Sequence, residues 1–474
     1  MDTGIFLDEF RPFRRGEIAL ARRTAAEADF LPRRELDCLR YVLRFAQLSS
    51  IGPQPDRLLD RIGNERLRVL QMLAPVLPVD PDRIDAGALL RRLPKVRGLV
   101  EAARRKLVEG GVASEAQLDV EIADKRLVLV LGGAAGSGYV FLGALQQLES
   151  LGVTPSYLTG CSVGALLGVI RGRSKQFDLE QLFEDVQRMR QAAIFRPART
   201  DVRFGVPAAL RLDLRAALGE LFVGSDGGQQ RLCDLAIPVD ALCTGLVPSA
   251  MSESRESYAH IIDAELHSAE ALAKLPPAPL ARWVSALVSL AMSRQVLVPL
   301  LLGATPETRR LAALDAAGFS AAIPALLQYD LPETEVEGRE VLESLFERHG
   351  LAGLVDGALS SLIPARYTWD AIEAGRIAHR NCLILALDAI AKPRGANALL
   401  APILRVISAT ADRDKAFWDL HVNFRRAPAF LNLFPTSGQL RAAAESGEQQ
   451  FAPTATLLRQ LLEPVPAWSS LQQG

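Results

Sequence analysis

No charge of one sign dominates this chain: 54 basic residues stand against 55 acidic ones in 474, a net charge of −1. A nucleic-acid binder carries a basic domain or stripe, so no nucleic-acid partner is expected. Cysteine is scarce. The five present (Cys38, Cys161, Cys233, Cys243, Cys382) include no CxxC pair, and such a set reads as reduced thiols in a cytoplasmic setting. No His/Cys/Asp cluster has ligand spacing, so neither a metal nor another cofactor is expected. The opening MDTGIFLDEFRPFRR puts acids before any basic cluster and lacks the apolar run of a signal peptide. Fixed-period repeats and long low-complexity tracts are also missing. One apolar stretch, 280–302, approaches the length of a membrane span, but Arg294 and Gln295 lie inside it and Pro299 follows. A charge at bilayer depth is costly, so the stretch reads as a soluble or interfacial helix pair and no transmembrane span is expected.

What is present is enough apolar material for a large core: 49% of the residues are hydrophobic, over a length suited to more than one unit. Residues 1–123 read as a helical N-terminal accessory region, because RELDCLRYVLRFAQ and DRLLDRIGNERLRVLQMLA repeat apolar residues at spacings of three and four. From Arg83 to Lys106 eight bases face only Asp85 and Glu101 as acids. A solvated helix face accounts for that run, and a foothold on anionic lipid is the sharper reading. Pro94 argues against one continuous helix there.

The pattern changes at Lys125. RLVLVL (126–131) has the continuous apolar character of a buried parallel strand and ends in glycines. A Gly-rich loop, a helical stretch closed by Gly152, the short strand YLTGC and the small apolar helix SVGALLGVI follow. With ILALD at 384–388 this order indicates an α/β sheet built on a βαβ unit. Residues 124–395 form the expected catalytic domain, 250–315 a helical insertion within it, and 396–474 a C-terminal helical region.

Three motifs carry chemistry. Gly160-Cys161-Ser162-Val163-Gly164 is a G-x-S-x-G between a strand and a helix, where flanking glycines permit a sharp turn that holds a serine proud of the sheet. Cys161 beside it reads as a small buried hydrophobe. Gly132–Gly138 (GGAAGSG) fails as a dinucleotide fingerprint, because Phe141 stands where the third glycine belongs, and fails as a P-loop, because Tyr139 stands where lysine belongs. Consecutive backbone N–H groups in such a loop can instead form an oxyanion hole; the plain alternative is chain reversal before a helix. Asp356-Gly357-Ala358 is by itself a turn. Beside a serine nucleophile, though, a buried Asp356 can take a proton.

In this order the three motifs resemble the patatin-like phospholipase family over roughly residues 124–395. CDLAIPVDALCTG (233–245) is similar to that family's central strand segment, and FSAAIPALLQY (319–329) to the stretch before its aspartate. The resemblance implies a three-layer α/β/α sheet with a nucleophile elbow. It implies Ser162 as nucleophile and Asp356 as general base, framed by Gly160, Gly164 and Gly357, with the N–H groups of Gly133, Ala134 and Ala135 around the oxyanion. The implied reaction is hydrolysis of a fatty acyl ester, in a phospholipid or other acyl lipid, through an acyl-Ser162 intermediate. Ala134 and Ala135 replace glycines usual in the family, and a positive φ at either would strain an alanine. Ser137 stands where a base is usual, Cys161 where threonine is, and Ser360 and Ser361 where amides are.

Two other readings use the same residues. An esterase with a Ser–Asp–His triad needs a histidine after the acid, and His379 and His421 are available. An inactive lipid-binding module would fit the altered loop. Within the insertion, Trp283, Val284, Leu287, Val288, Leu290 and Ala291 can share one helical face, the pattern of a lid or an interfacial contact. Peripheral contact with a membrane is therefore part of the expectation.

Overall fold

The computed structural model describes residues 3–52, 58–188, 194–199, 201–224, 227–249, 296–390, 401–430, 432–433 and 435–472. The chain divides into two compact units. The first comprises 1–128, 369–384 and 452–474, and the second 129–368 and 385–451. The proposed lid face at 283–291 lies outside the described residues.

The first unit opens with helices α1 (Thr3–Ala26), α2 (Arg33–Gln47), α3 (Leu58–Leu73), α4 (Ala86–Glu109) and α5 (Glu115–Ala123), in keeping with the helical periodicity of this region. One apolar cluster joins them: Leu39, Val42 and Phe45 of α2 with Leu89, Val96 and Val100 of α4. Contrary to the sequence reading, α4 runs through Pro94 unbroken. A helix-interior proline costs about 3 kcal/mol. Burial of Leu89, Leu93, Val96 and Val100 on one face, at about 1.5–3 kcal/mol each, outweighs it. The buried Glu17 carboxylate bridges Arg44 Nε at 2.9 Å and Lys125 Nζ at 2.6 Å. Burial alone would raise its pKa, but the two cations prevail and hold it at about 2.

The second unit is built on the sheet. Its elements in order are β1 (Arg126–Leu131), α6 (Phe141–Ser150), β2 (Tyr157–Cys161), α7 (Val163–Gly172), α8 (Leu179–Arg188), β3 (Phe195–Pro197), β4 (Ala208–Leu212), α9 (Leu214–Leu218), β5 (Val239–Leu246), β6 (Leu297–Leu302), α10 (Ala313–Ser320), β7 (Ala325–Gln328), α11 (Val336–His349) and β8 (Gly353–Asp356). Then come α12 (Ala365–Glu373), β9 (Cys382–Asp388), α13 (Ala401–Asp414), β10 (Leu420–Asn423), α14 (Ser437–Leu462) and α15 (Trp468–Gln472); the division assigns 126–128 of β1, 369–373 of α12, 382–384 of β9, the end of α14 and all of α15 to the first unit. The main sheet has the order β10-β9-β1-β2-β5-β6, with β8 also on β5, and β3-β4-β7 make a small second sheet. Every residue of β2 and β5 is buried, which is why both read as apolar runs without alternation.

Two expectations need correction. Within the span assigned to a helical insertion, Leu297–Leu302 is a strand, antiparallel to β5. Pairing with a fully buried strand overrides any helical tendency of LVPLLL, and Pro299 is tolerated because β6 ends the strand order. The C-terminal region is not helical throughout either, since β10 adds Leu420–Asn423 to the sheet beside β9.

Register along β5 is what builds the site. Its residues Val239–Leu242 pair with β2. Its residues Cys243–Leu246 pair with β8, while β6 occupies the opposite edge. Strands β2 and β8 therefore run toward each other along one edge of β5. Cys161 sits opposite Leu242 and Asp356 opposite the next residue, Cys243.

Candidate active site

The residue after β2 is Ser162, and its backbone is strained at φ 55°, ψ −126°. Ser162 caps α7: its carbonyl accepts from the N–H groups of Ala165 (2.9 Å) and Leu166 (3.2 Å). A turn this sharp brings backbones into contact. A Cβ on Gly164 would lie 2.2 Å from the Leu131 carbonyl oxygen, and one on Gly160 2.4 Å from the backbone of Ala165. Only glycine fits at either place. Gly357 is held the same way, with the Leu242 oxygen 2.1 Å from where its Cβ would be.

Asp356 ends β8 and lines the same cavity as Ser162. Its carboxylate accepts the Ala358 N–H at 2.8 Å, and the Ser162 side chain stands close enough to favour its charged form. Burial lifts its pKa from 3.8 to about 6, against the pull of those two groups. Cys161 is fully buried, and its thiol is pushed well above the ordinary value by burial, with Asp356 adding to the effect. It is not the thiolate a nucleophilic cysteine requires.

The Gly-rich loop follows β1 and enters a 3-10 turn at Ala135–Val140. Gly133, Ala134 and Ala135 all line the Ser162 cavity. Their N–H groups are not equivalent. Gly133 donates to the Leu362 carbonyl at 2.8 Å, and Leu362 is in turn fixed by its own N–H to Thr410 Oγ1 at 2.8 Å. Among the described residues the N–H groups of Ala134 and Ala135 have no such acceptor. Ala135 sits at φ 44°, the strained alanine that substitution of a loop glycine threatened. Among the described residues Ser162 and Ala135 alone, glycines apart, have positive φ, and both line this cavity. Strain concentrated at one place marks a functional site.

Sequence reasoning missed Ser320. At the end of α10, its Oγ accepts the Ser162 N–H at 2.9 Å and donates to the Leu242 carbonyl at 2.6 Å. Two residues on, the Ala322 carbonyl accepts the Asp356 N–H at 2.8 Å. One short segment thus braces both strand ends. It lies within FSAAIPALLQY (319–329), but a serine in an apolar run carries no signal of its own.

Neither candidate histidine lines the cavity. His379 Nδ1 lies 3.1 Å from Glu121 Oε2. His421 stacks on Trp418 with ring centroids 4.9 Å apart and approaches Asp388 at 3.6 Å. Among the described residues no group of three or more potential metal ligands occurs, and no helix is long and apolar enough to cross a membrane. All five cysteines are free thiols.

No curated protein matches the chain. The profile of the family described as patatin-like phospholipase matches residues 129–369, about half of the sequence, and takes in the Gly-rich loop, the turn at Ser162 and Asp356. The chain belongs to the patatin-like phospholipase family, whose members are lipid acyl hydrolases with an α/β/α sheet.

Proposed function

We propose that this protein cleaves fatty acyl esters of lipids by a two-step mechanism on Ser162 and Asp356, the family form being phospholipase A or lysophospholipase cleavage. The observation that carries the reading is that the Ser162 side chain and the buried Asp356 carboxylate, poised at about 6, line one cavity close enough to interact. Such a carboxylate is ionised at neutral pH yet basic enough to accept a proton in the transition state. Asp356 takes the hydroxyl proton as Oγ attacks the ester carbonyl carbon. The oxyanion is held by the Ala134 and Ala135 N–H groups, while Gly133 anchors the loop through Leu362. Collapse breaks the C–O bond to the alcohol, whose oxygen takes the proton from Asp356. Water then gives its proton to Asp356, hydroxide attacks the acyl carbon, and Ser162 Oγ leaves with the proton restored.

Labelling with a fluorophosphonate probe tests this. The parent protein is expected to label and Ser162→Ala not to, with turnover of a fatty acyl ester lost equally in Ser162→Ala and Asp356→Asn. A folded, unlabelled parent overturns the reading in favour of an inactive lipid-binding module. An active Asp356→Asn beside an inactive His379→Ala or His421→Ala transfers it to a triad.

Peripheral membrane contact belongs to the same proposal. Arg91, Lys95, Arg105 and Lys106 of α4 are exposed. Arg104 leaves the set, because it is buried against Asp119 at 2.8 Å. Sedimentation with acidic vesicles should weaken in Arg91→Gln/Lys95→Gln/Arg105→Gln and with rising salt, screening acting over about 8 Å at physiological ionic strength.

A further inference from the structure

Among the described residues two cavities open on Ser162. The first holds Asp356 and runs between Leu359, Leu362, Leu404, Ile407 and Phe430. The second runs the other way along α7, past Leu166, Leu167 and Ile170 to Phe183 of α8 and Leu212 of β4. They share Ala135, Ser162, Ile323 and Leu433, so the nucleophile sits at a fork. Among the described residues that line either arm, Asp356 is the sole side chain that carries a charge.

The chemistry proposed above, on which this inference rests, orients an ester in the fork. Asp356 must pass its proton to the departing alcohol oxygen, so the alcohol side of the scissile bond lies in the arm that contains Asp356. The acyl chain then enters the arm along α7, where the wall is apolar from Leu166 to Phe183. The alcohol arm is walled by leucine, isoleucine and phenylalanine, with a carboxylate at its root. A phosphate held there would lose its hydration beside a like charge and meet no cation among the described residues. We infer that the substrate is an uncharged lipid ester with apolar chains on both sides of the scissile bond, a neutral acylglycerol or long-chain alkyl ester, in preference to a phospholipid. The arm along α7 sets acyl length, and the arm with Asp356 sets the alcohol.

The test uses the full chain and detergent-dispersed substrates with matched acyl chains. Dioleoylglycerol is compared with dioleoylphosphatidylcholine and dioleoylphosphatidic acid, and kcat/KM is expected to favour the diacylglycerol by on the order of tenfold or more. Two ester series read the arms separately: long-acyl esters of ethanol and butyryl esters of long alcohols. Leu166→Trp should lower the ratio of kcat/KM for the long-acyl series to that for the long-alcohol series, and Ile407→Trp should raise it. Fluorophosphonate labelling of each variant confirms a folded site. Equal or better cleavage of the phospholipids overturns the substrate class while leaving the Ser162–Asp356 reading intact. Variant effects of the opposite sign, or the same in both series, overturn the assignment of the arms. If no ester is cleaved and Ser162 does not label, the catalytic reading fails and this inference with it.

Discussion

Replacing Asp356 by asparagine should stabilise the folded protein while ending turnover, and the stabilisation should depend on pH. The reason lies in the carboxyl's burial. A group raised from 3.8 to about 6 holds its proton more tightly in the folded chain than in the unfolded one, by about 3 kcal/mol. Well below pH 4 both states are protonated and the raised pKa costs nothing. As pH climbs from 4 to 6 the unfolded chain releases this proton first, so the folded state loses stability. Above 6 the full loss of about 3 kcal/mol is present. Asparagine has the same shape, does not ionise, and can accept the Ala358 N–H through its own oxygen. It removes the penalty and leaves the anchor. Denaturant unfolding of parent and Asp356→Asn from pH 4 to 8 reads the effect, other titrating groups cancelling in the difference. The variant's advantage should grow by about 2–3 kcal/mol across that interval, with the midpoint between 4 and 6. A difference that stays flat with pH would refute the argument, because Asp356 would then not be a desolvated carboxylate in the folded state.

The same group governs activity: kcat/KM should fall as pH drops through about 6, where the base becomes protonated, and a profile flat from 5 to 8 counts against Asp356 as the base. Ser320→Ala removes the acceptor of the Ser162 N–H; kcat should drop on the order of tenfold or more with KM little changed, and Ser320→Thr should restore most of it. Activity loss that Thr does not rescue would make Ser320 merely a packing residue. Ala135→Gly relieves a strained φ of 44° and should leave stability between unchanged and about 1 kcal/mol higher, with turnover kept; a clear loss on denaturation contradicts the strain argument. Glu17→Gln leaves Arg44 and Lys125 buried without their carboxylate and should cost about 3–5 kcal/mol in unfolding of the first unit. A cost under about 1 kcal/mol would show that water reaches the pair.

Much of this was local and therefore legible. Continuous apolar runs make buried strands wherever both faces are covered, and β1, β2 and β9 lie where RLVLVL, YLTGC and ILALD stand. The turn at Ser162 was legible too, because Gly160 and Gly164 are the signature of two backbones forced together. Pro94 and LVPLLL misled for one reason: both were read from local propensity, and burial in a tertiary core overrode it. The strained φ of Ala135 and the engagement of the Gly133 N–H by Leu362 depend on segments distant in sequence, so no spacing rule reaches them. The serine and the aspartate were each visible in the chain as residue types in suggestive turns. Their meeting was not. It comes from the register of β5, which pairs β2 and β8 in succession along one edge, so that two strand ends far apart in sequence face each other across a single residue step. Hydrogen-bond register is a property of paired strands, and a sequence determines it only once the sheet has formed.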